Sequence, residues 1–114
     1  MLRFHRLALA LVSVVAVAGL SHQAQASSGD PQRGRQLSGS CQVCHGVNGV
    51  GTNPTVPNIA GESEQYLIKQ LQDFRAGRRQ NAQMSIMAAN LSDEDIQHLA
   101  AWYSSFDFTV TMPE

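Results

Sequence analysis

Five residues, Cys41-Gln42-Val43-Cys44-His45, decide how the rest of the chain is interpreted. They form the pattern C-x-x-C-H, which is the sequence signature of covalent haem attachment. Two thiols one helical turn apart can add to the two vinyl groups of one haem. The imidazole next to the second thiol is then held under the iron as an axial ligand. The motif therefore predicts one covalently attached haem.

Three other sites use a C-x-x-C pair: a redox dithiol, half of a zinc site, and a structural disulfide. A zinc site needs further ligands nearby, but the chain has two cysteines, and His98 is the one other histidine outside the N-terminal leader. A redox dithiol would follow a strand in a βαβ unit, and no such pattern precedes Cys41. The disulfide remains an open alternative.

Residues 1–26 have the features of a secretory signal peptide. A basic start precedes an apolar run from Leu7 to Leu20, and Ala24-Gln25-Ala26 supplies a small-x-small cleavage site. The run has about 14 residues, whereas a membrane span needs roughly 20. An uncleaved anchor is the alternative. We expect cleavage to leave a single domain, residues 27–114, with no transmembrane segment.

The predicted mature domain is small and slightly acidic. Without the two leader arginines it carries six basic and nine acidic residues, a net charge of −3. It has no basic stripe, so a nucleic-acid partner is not expected. A domain of this size buries little apolar surface, and a covalently held haem would supply the missing core.

Helix signals flank the motif on both sides. Asp30-Pro31 is an N-cap followed by proline at the first helical position, which predicts a helix to about Ser38. Gly34 within it costs roughly 1 kcal/mol relative to alanine, which indicates the close approach of another helix. A second helix is predicted from Ser63 or Glu64 to Ala76, closed by Gly77. A third follows the N-cap Ser92 and ends near Ser105.

The later helices have apolar faces at helical spacing, which we interpret as core. These residues are Tyr66, Leu67, Leu71 and Phe74, then Ile96, Leu99, Trp102, Tyr103 and Phe106. We expect His98, beside the last face, to be a solvated surface histidine. Arg78 and Arg79 either cap the second helix, pair with a haem propionate, or help to form a positive docking patch.

Two segments show no regular element. Residues 46–61 are rich in glycine, proline and asparagine, which indicates a loop, and loops of this length are more often functional. We expect its Ile59 to lie against the site. Residues 81–90 have no clear period and contain Met84 and Met87.

The chain resembles a class I cytochrome c, and it is similar to one domain of the two-haem bacterial cytochromes of the c-four type. The matching pieces are residues 41–46, 57–61, 66–77 and 84–95 with the helix that follows. They cover nearly all of the mature chain in order. Two features depart from the family: there is a single haem motif, and the methionine segment lacks the proline often found beside the ligand.

The resemblance implies an all-α cytochrome c fold of three to four helices around one haem, with the N- and C-terminal helices crossing. Cys41 and Cys44 would carry the haem thioethers, and His45 would ligate the iron. The Pro57 carbonyl would accept a hydrogen bond from His45 and fix its ring. Gly34 and Leu37 would pack against the last helix near Leu99 and Trp102.

A methionine sulfur would be the sixth ligand, which raises the reduction potential. In the family pattern this residue stands eight positions before the serine that caps the last helix. Met84 fits that spacing and Met87 does not, so Met84 is the predicted ligand and Met87 the fallback. Core filling is the alternative role for either residue.

The resemblance implies an electron carrier rather than an enzyme, because a His/Met-ligated iron has no open position for a substrate. Its partners would be redox proteins: a reductase or dehydrogenase as donor, and an oxidase or another protein as acceptor. The location would be periplasmic, since bacteria attach c-type haem outside the cytoplasm. The alternative is the haem c electron-transfer subunit of a larger periplasmic dehydrogenase.

Overall fold

Five α-helices follow one another in the computed structural model, which describes residues 29–114. They are α1 (Pro31–Leu37), α2 (Gly39–His45), α3 (Glu64–Arg75), α4 (Ala82–Ala88) and α5 (Asp93–Ser104). This part of the chain contains no strand, and the predicted all-α fold is confirmed. α5 packs against α1 and α3, and α4 packs against α3. The predicted leader, residues 1–26, lies outside the described residues.

Within residues 29–114, no helix combines the length and the apolar character that crossing a membrane requires.

The first and last helices meet at Gly34. α1 begins as predicted, because the Asp30 carboxylate accepts hydrogen bonds from the backbone N–H groups of the first turn. A Cβ at Gly34 would lie 1.9 Å from the backbone oxygen of His98 and 2.7 Å from Cβ of Trp102. Only glycine allows this approach, so the expected helix contact is confirmed. Leu37, at the end of α1, is half-buried.

His98 joins α1 to α5, and the expectation of a solvated surface histidine was wrong. The Asp30 N–H donates to His98 Nδ1 over 2.8 Å. An acceptor at Nδ1 places the ring proton on Nε2, which lies 3.5 Å from a carboxylate oxygen of Glu94. The His98 side chain is only 17% exposed. Its partner is 68 residues away in the sequence, so no local pattern could indicate it.

The ends of α3 and α5 follow the predicted capping residues within one position. The Ser63 hydroxyl accepts from the Tyr66 N–H, and Gly77 adopts a φ of +73° just beyond the C-terminus of α3. Ser92 and Asp95 form a capping box, in which each side chain accepts from the other's backbone N–H. These caps fix where α3 and α5 start, and so which side chains reach the site.

The structure also contains two short helices that the sequence pattern did not assign. α2 carries the C-x-x-C-H motif itself. α4 forms within the segment expected to be irregular, and Asn81 caps it by accepting from the N–H groups of Gln83 and Met84. Seven residues make about two turns, which is too short for a hydrophobic period to be visible.

The protein core is small. Its centre is formed by Leu67, Ala100 and Tyr103, with Cys41 and Ile59 among the partly buried residues packed against them. Ile96 and Leu99 are buried on α5 as expected, whereas Trp102 and Phe106 are half-buried and meet edge to face. The core thus adjoins α2 and the 46–61 loop, where the predicted site lies.

Candidate haem site

A cavity of about 890 Å³ lies between α2, α3, α4, α5 and the 46–61 loop. Ligand pockets in proteins range over roughly 300–1,000 Å³, so this one suits a large ligand. The wall contains every site residue predicted from the sequence: Cys41, Cys44, His45, Pro57, Met84 and Met87. The fold therefore brings together residues that are spread over 47 positions of the chain.

Both cysteines lie on α2, one helical turn apart, with free thiols and partial burial. Burial raises the pKa of the Cys41 thiol and outweighs the opposing hydrogen bond with Ser40. The attacking thiol of a redox dithiol instead has a lowered pKa, which is the opposite of the direction at Cys41. Residues 29–114 also hold no group of three or more metal-ligating side chains of the kind zinc requires.

The imidazole of His45 is held in one orientation by the loop. His45 Nδ1 lies 2.9 Å from the backbone oxygen of Pro57, and the residue is only 7% exposed. A carbonyl oxygen can only accept, so Nδ1 carries the proton and Nε2 keeps its lone pair. Nε2 is therefore free to ligate a metal ion, with the ring fixed by the backbone.

The 46–61 loop is ordered by its own hydrogen bonds, which place Pro57 over His45. The Gly49 carbonyl accepts from the Ile59 N–H over 2.8 Å. Gly49 has a φ of +77°, and a Cβ there would come within 2.9 Å of the neighbouring backbone. The Thr52 N–H donates to the Cys44 carbonyl over 3.0 Å and ties the loop to α2. As predicted, Ile59 lines the site.

The two methionines enter the cavity from α4. They are three residues apart, on adjacent turns of one side of the helix, and both line the wall. Met84 is half-buried, whereas Met87 is 39% exposed. The cap at Asn81 positions Met84 directly, because the Asn81 side chain accepts from the Met84 N–H over 3.0 Å.

The apolar face of α3 forms part of the cavity wall rather than closed core. Leu67 and Phe74 are each 7% exposed, but Tyr66 is 46% exposed and Leu71 is half-buried. All four residues line the cavity. The expectation that Tyr66 is buried in a protein core was wrong, because the space it faces belongs to the site.

The arginines that follow α3 have different surroundings. Arg78 Nε donates to Asp73 Oδ1 over 2.7 Å, and Lys69 binds the other oxygen of the same carboxylate. The pKa of Asp73 is lowered by these hydrogen bonds, the one from Lys69 first. Arg79 instead lies over the Phe74 ring, 4.7 Å from its centroid, and lines the cavity. Sequence reasoning did not separate these two arginines.

Tyr103 is a wall residue that sequence reasoning interpreted only as core. It is 3% exposed, and its hydroxyl has no hydrogen-bond partner among the described residues. Burial raises the pKa of Tyr103. The phenol therefore keeps its proton. No spacing rule marks such a hydroxyl, because its polar neighbours, Ser38 and Cys41, lie more than 60 residues away in the sequence.

These observations fit a haem. The wall offers two free thiols on one helical turn, an imidazole with an available Nε2, and thioether sulfurs from α4. Aromatic and aliphatic side chains form most of the remaining wall, as a macrocycle requires. The Tyr103 hydroxyl has no partner among residues 29–114, and the Tyr66 ring is half-exposed. Both features are expected in a wall that a ligand covers.

Comparison with known proteins identifies relatives along most of the chain. The family model for cytochrome c matches residues 31–106. Cytochrome c4 of Pseudomonas aeruginosa is 34% identical over 110 residues, which are 96% of this chain and 53% of that protein. The crystal structure of reduced recombinant cytochrome c4 from Pseudomonas stutzeri has a TM-score of 0.67 at 38% identity, covering 72% of this chain and 48% of that one.

Two further relatives differ in length. Cytochrome c-554(548) of Halomonas halodenitrificans is 43% identical over 81 residues, which are 68% of this chain and 98% of that protein. The thiosulfate dehydrogenase electron acceptor of Thiomonas intermedia is 49% identical over 67 residues, 57% of this chain and 30% of that protein. The chain spans about half the length of the cytochromes c4 that it matches.

The family match covers the helices that form the cavity, and the Halomonas relative is matched over nearly its whole length. The structural likeness to a cytochrome c4 covers 72% of this chain at 38% identity. Together with a wall that fits a haem, these findings show that the chain belongs to the cytochrome c family of electron-transfer haem proteins and carries covalently attached haem c.

Proposed function

We propose that this chain is a periplasmic one-electron carrier whose haem iron is ligated by His45 and Met84. The observation that carries the proposal is the 2.9 Å contact between His45 Nδ1 and the Pro57 oxygen. It leaves Nε2 of a buried imidazole available in a large, mostly apolar cavity. A backbone hydrogen bond to the other nitrogen is the arrangement that orients metal-ligating histidines.

Cys41 and Cys44 are the proposed attachment points. Their place on one turn of α2, directly before His45, ties covalent attachment to iron ligation through one short helix. The raised pKa of the Cys41 thiol supports this assignment over a dithiol role.

Met84 is the proposed sixth ligand. It is the more buried of the two α4 methionines, and its backbone is fixed by the Asn81 cap. The less exposed thioether is better shielded from water that would compete for the iron. Met84 also stands eight residues before Ser92, the observed N-cap of α5, as the family spacing requires. Met87 remains the fallback.

A haem bound in this way supplies an iron that gives up or accepts one electron. His45 and Met84 would hold the iron from both sides, which would leave no ligand position for a substrate, and the apolar side chains of the wall would limit the access of water. At the cavity rim Val43 and Ile86 are 76% and 74% exposed. Both side chains are apolar. A redox partner that packs against them would lie close to the site, with no polar side chain between the partner and the rim at these two positions.

The periplasmic location rests on the proposed signal peptide, residues 1–26. Mass spectrometry of the secreted protein tests it: we expect a mature N-terminus at Ser27 and the mass of one haem added to the chain. An intact leader in the haem-loaded protein would contradict cleavage.

The decisive experiment is haem extraction followed by spectroscopy. The exported protein is denatured and treated with acidified organic solvent, and we expect the haem to stay with the polypeptide. Replacing both Cys41 and Cys44 with alanine should release it. The native oxidised protein should show a sulfur-to-iron charge-transfer band. Extractable haem in the wild-type chain would contradict the attachment, and absence of the band would contradict methionine ligation.

A second candidate function is the electron-accepting subunit of a dehydrogenase. The observation that favours it is the similarity to the Thiomonas thiosulfate dehydrogenase electron acceptor. Affinity purification from the native host at low salt separates the two candidates. Stoichiometric recovery of a catalytic subunit would support the subunit role, and recovery of this chain alone would support the free carrier.

A further inference from the structure

The Tyr103 hydroxyl is a buried polar group in the site to which the proposed function gives no role. Tyr103 lies on α5 in the centre of the core, and Cys41 packs against the same cluster. The residue is only 3% exposed and lines the cavity. No group among residues 29–114 forms a well-aligned hydrogen bond with the hydroxyl, although the side chains of Ser38 and Cys41 lie within reach of it. A buried donor with no acceptor is costly, so it indicates a partner that the bare polypeptide does not provide.

Two polar side chains lie next to this hydroxyl, those of Ser38 and Cys41. Ser38 is fully buried and already engaged: its hydroxyl donates to the Arg35 carbonyl over 2.8 Å and accepts from Gln42 Nε2 over 2.7 Å. The Cys41 sulfur is less committed. Its thiol is kept protonated by burial, and a thiol proton is a donor that needs an acceptor of its own.

Haem attachment changes the Cys41 sulfur. As the sulfur–carbon bond forms at one vinyl carbon, the thiol proton passes to the other vinyl carbon, and the double bond becomes single without net oxidation or reduction. The sulfur then has no proton and can only accept. The phenol of Tyr103 keeps its proton, so its O–H group needs a hydrogen-bond acceptor.

We propose that Tyr103 donates a hydrogen bond to the Cys41 thioether sulfur in the haem-loaded protein and thereby raises the reduction potential. The proposal rests on the proposed attachment of haem at Cys41. A donor at the sulfur withdraws electron density from the haem substituent, which favours the reduced iron. Tyr103 is a positioning residue in this scheme, because it acts on the haem through Cys41.

Tyr103→Phe removes the hydroxyl and keeps the ring, and Tyr66→Phe is the matched control. Tyr66 also lines the cavity, but it is 46% exposed and can hydrogen-bond with water. We measure haem content, midpoint potential, and the thioether C–S stretch by resonance Raman spectroscopy in H₂O and D₂O. The expected result is a lower potential and loss of the solvent-isotope shift in Tyr103→Phe, with both unchanged in Tyr66→Phe.

The proposal would be overturned if Tyr103→Phe had the same midpoint potential and the same solvent-isotope shift as the wild-type protein. A higher melting temperature in that variant would do the same, because it would mean that the hydroxyl has no partner in the loaded protein. Haem extraction from the wild-type protein is measured first. If the haem is extractable there, the proposed attachment at Cys41 is wrong. If the haem is not extractable, a negative result with Tyr103→Phe contradicts only the proposed hydrogen bond.

A second measurement covers the case in which Tyr103→Phe does not accumulate. The chain has two tyrosines, so the Tyr66→Phe variant made with 3-fluorotyrosine carries fluorine only at Tyr103. Fluorination strengthens the phenol as a donor while the ring is retained. The potential should rise relative to unfluorinated Tyr66→Phe. An unchanged or lower potential would contradict a hydrogen bond to the sulfur.

Discussion

Adding one methyl group at Gly34 would test whether the contact between α1 and α5 holds the fold together. The new Cβ would lie 1.9 Å from the His98 backbone oxygen, where ordinary contact begins at 3.4 Å. α1 would have to move away from α5 by roughly 1.5 Å, since no side-chain rotation moves a backbone oxygen. Gaps of that size forfeit much of the dispersion attraction along the interface.

The magnitude follows from two opposing terms. Overpacking of a well-filled contact costs typically 1–3 kcal/mol, and a clash with backbone belongs at the upper end, about 3 kcal/mol. Alanine in place of glycine stabilises a helix by about 1 kcal/mol. The net loss for Gly34→Ala is therefore about 2 kcal/mol. In a domain of 60–100 residues each kcal/mol shifts the melting temperature by about 4–8 °C, which gives a fall of about 8–16 °C.

Thermal unfolding of the haem-loaded protein, followed by far-ultraviolet circular dichroism, measures this fall. Gly39→Ala is the matched control, because Gly39 begins α2 and a Cβ there meets nothing within 4 Å. It should leave the melting temperature unchanged or raise it slightly. Equal melting temperatures for the two variants would refute the reasoning, because helix propensity would then account for both.

Three further predictions concern the site and the last helix. Met84→Leu should abolish the sulfur-to-iron charge-transfer band and lower the potential, while Met87→Leu keeps the band; the reverse pattern would assign the ligand to Met87. Arg79→Gln should lower the midpoint potential because it removes a positive charge from the cavity wall. Arg78 binds Asp73 instead, so Arg78→Gln should leave the potential unchanged, and equal shifts in the two variants would contradict this difference. Hydrogen bonds in the α5 capping box lower the folded-state pKa of Asp95 below 3.8, so its contribution to stability is present above that pH and is lost below it. Asp95→Asn should flatten the acid side of the stability–pH curve, and an unchanged acid side would show that the cap contributes nothing.

Much of the site could be predicted because its signals are local in the sequence. The C-x-x-C-H motif lies within five residues, and its spacing alone predicts attachment at the two cysteines and ligation by the histidine. Helix starts at Asp30, Ser63 and Ser92 follow from side chains that satisfy the nearest backbone N–H groups, and the structure confirms all three. Such rules act over three or four residues, so tertiary structure cannot override them easily.

The features that sequence reasoning missed depend on partners far along the chain. His98 accepts from a backbone N–H 68 residues away, and Arg75 donates to the Leu91 carbonyl 16 residues away. Arg78 and Arg79 are adjacent in sequence, yet one binds Asp73 and the other lies over Phe74 at the cavity. These assignments require knowledge of how the helices pack, which neither charge pattern nor period supplies.

Hydrophobic periodicity led to a wrong interpretation of the apolar face of α3. It treats every apolar face as protein core, yet Tyr66 is 46% exposed and the same face lines the cavity. The polypeptide by itself buries few large side chains, and the centre of its core is formed by Leu67, Ala100 and Tyr103. An apolar face that the chain leaves uncovered, opposite a haem-attachment motif, is therefore better interpreted as cofactor wall. By this reasoning the haem completes the hydrophobic core, and holding it covalently prevents that part of the core from dissociating.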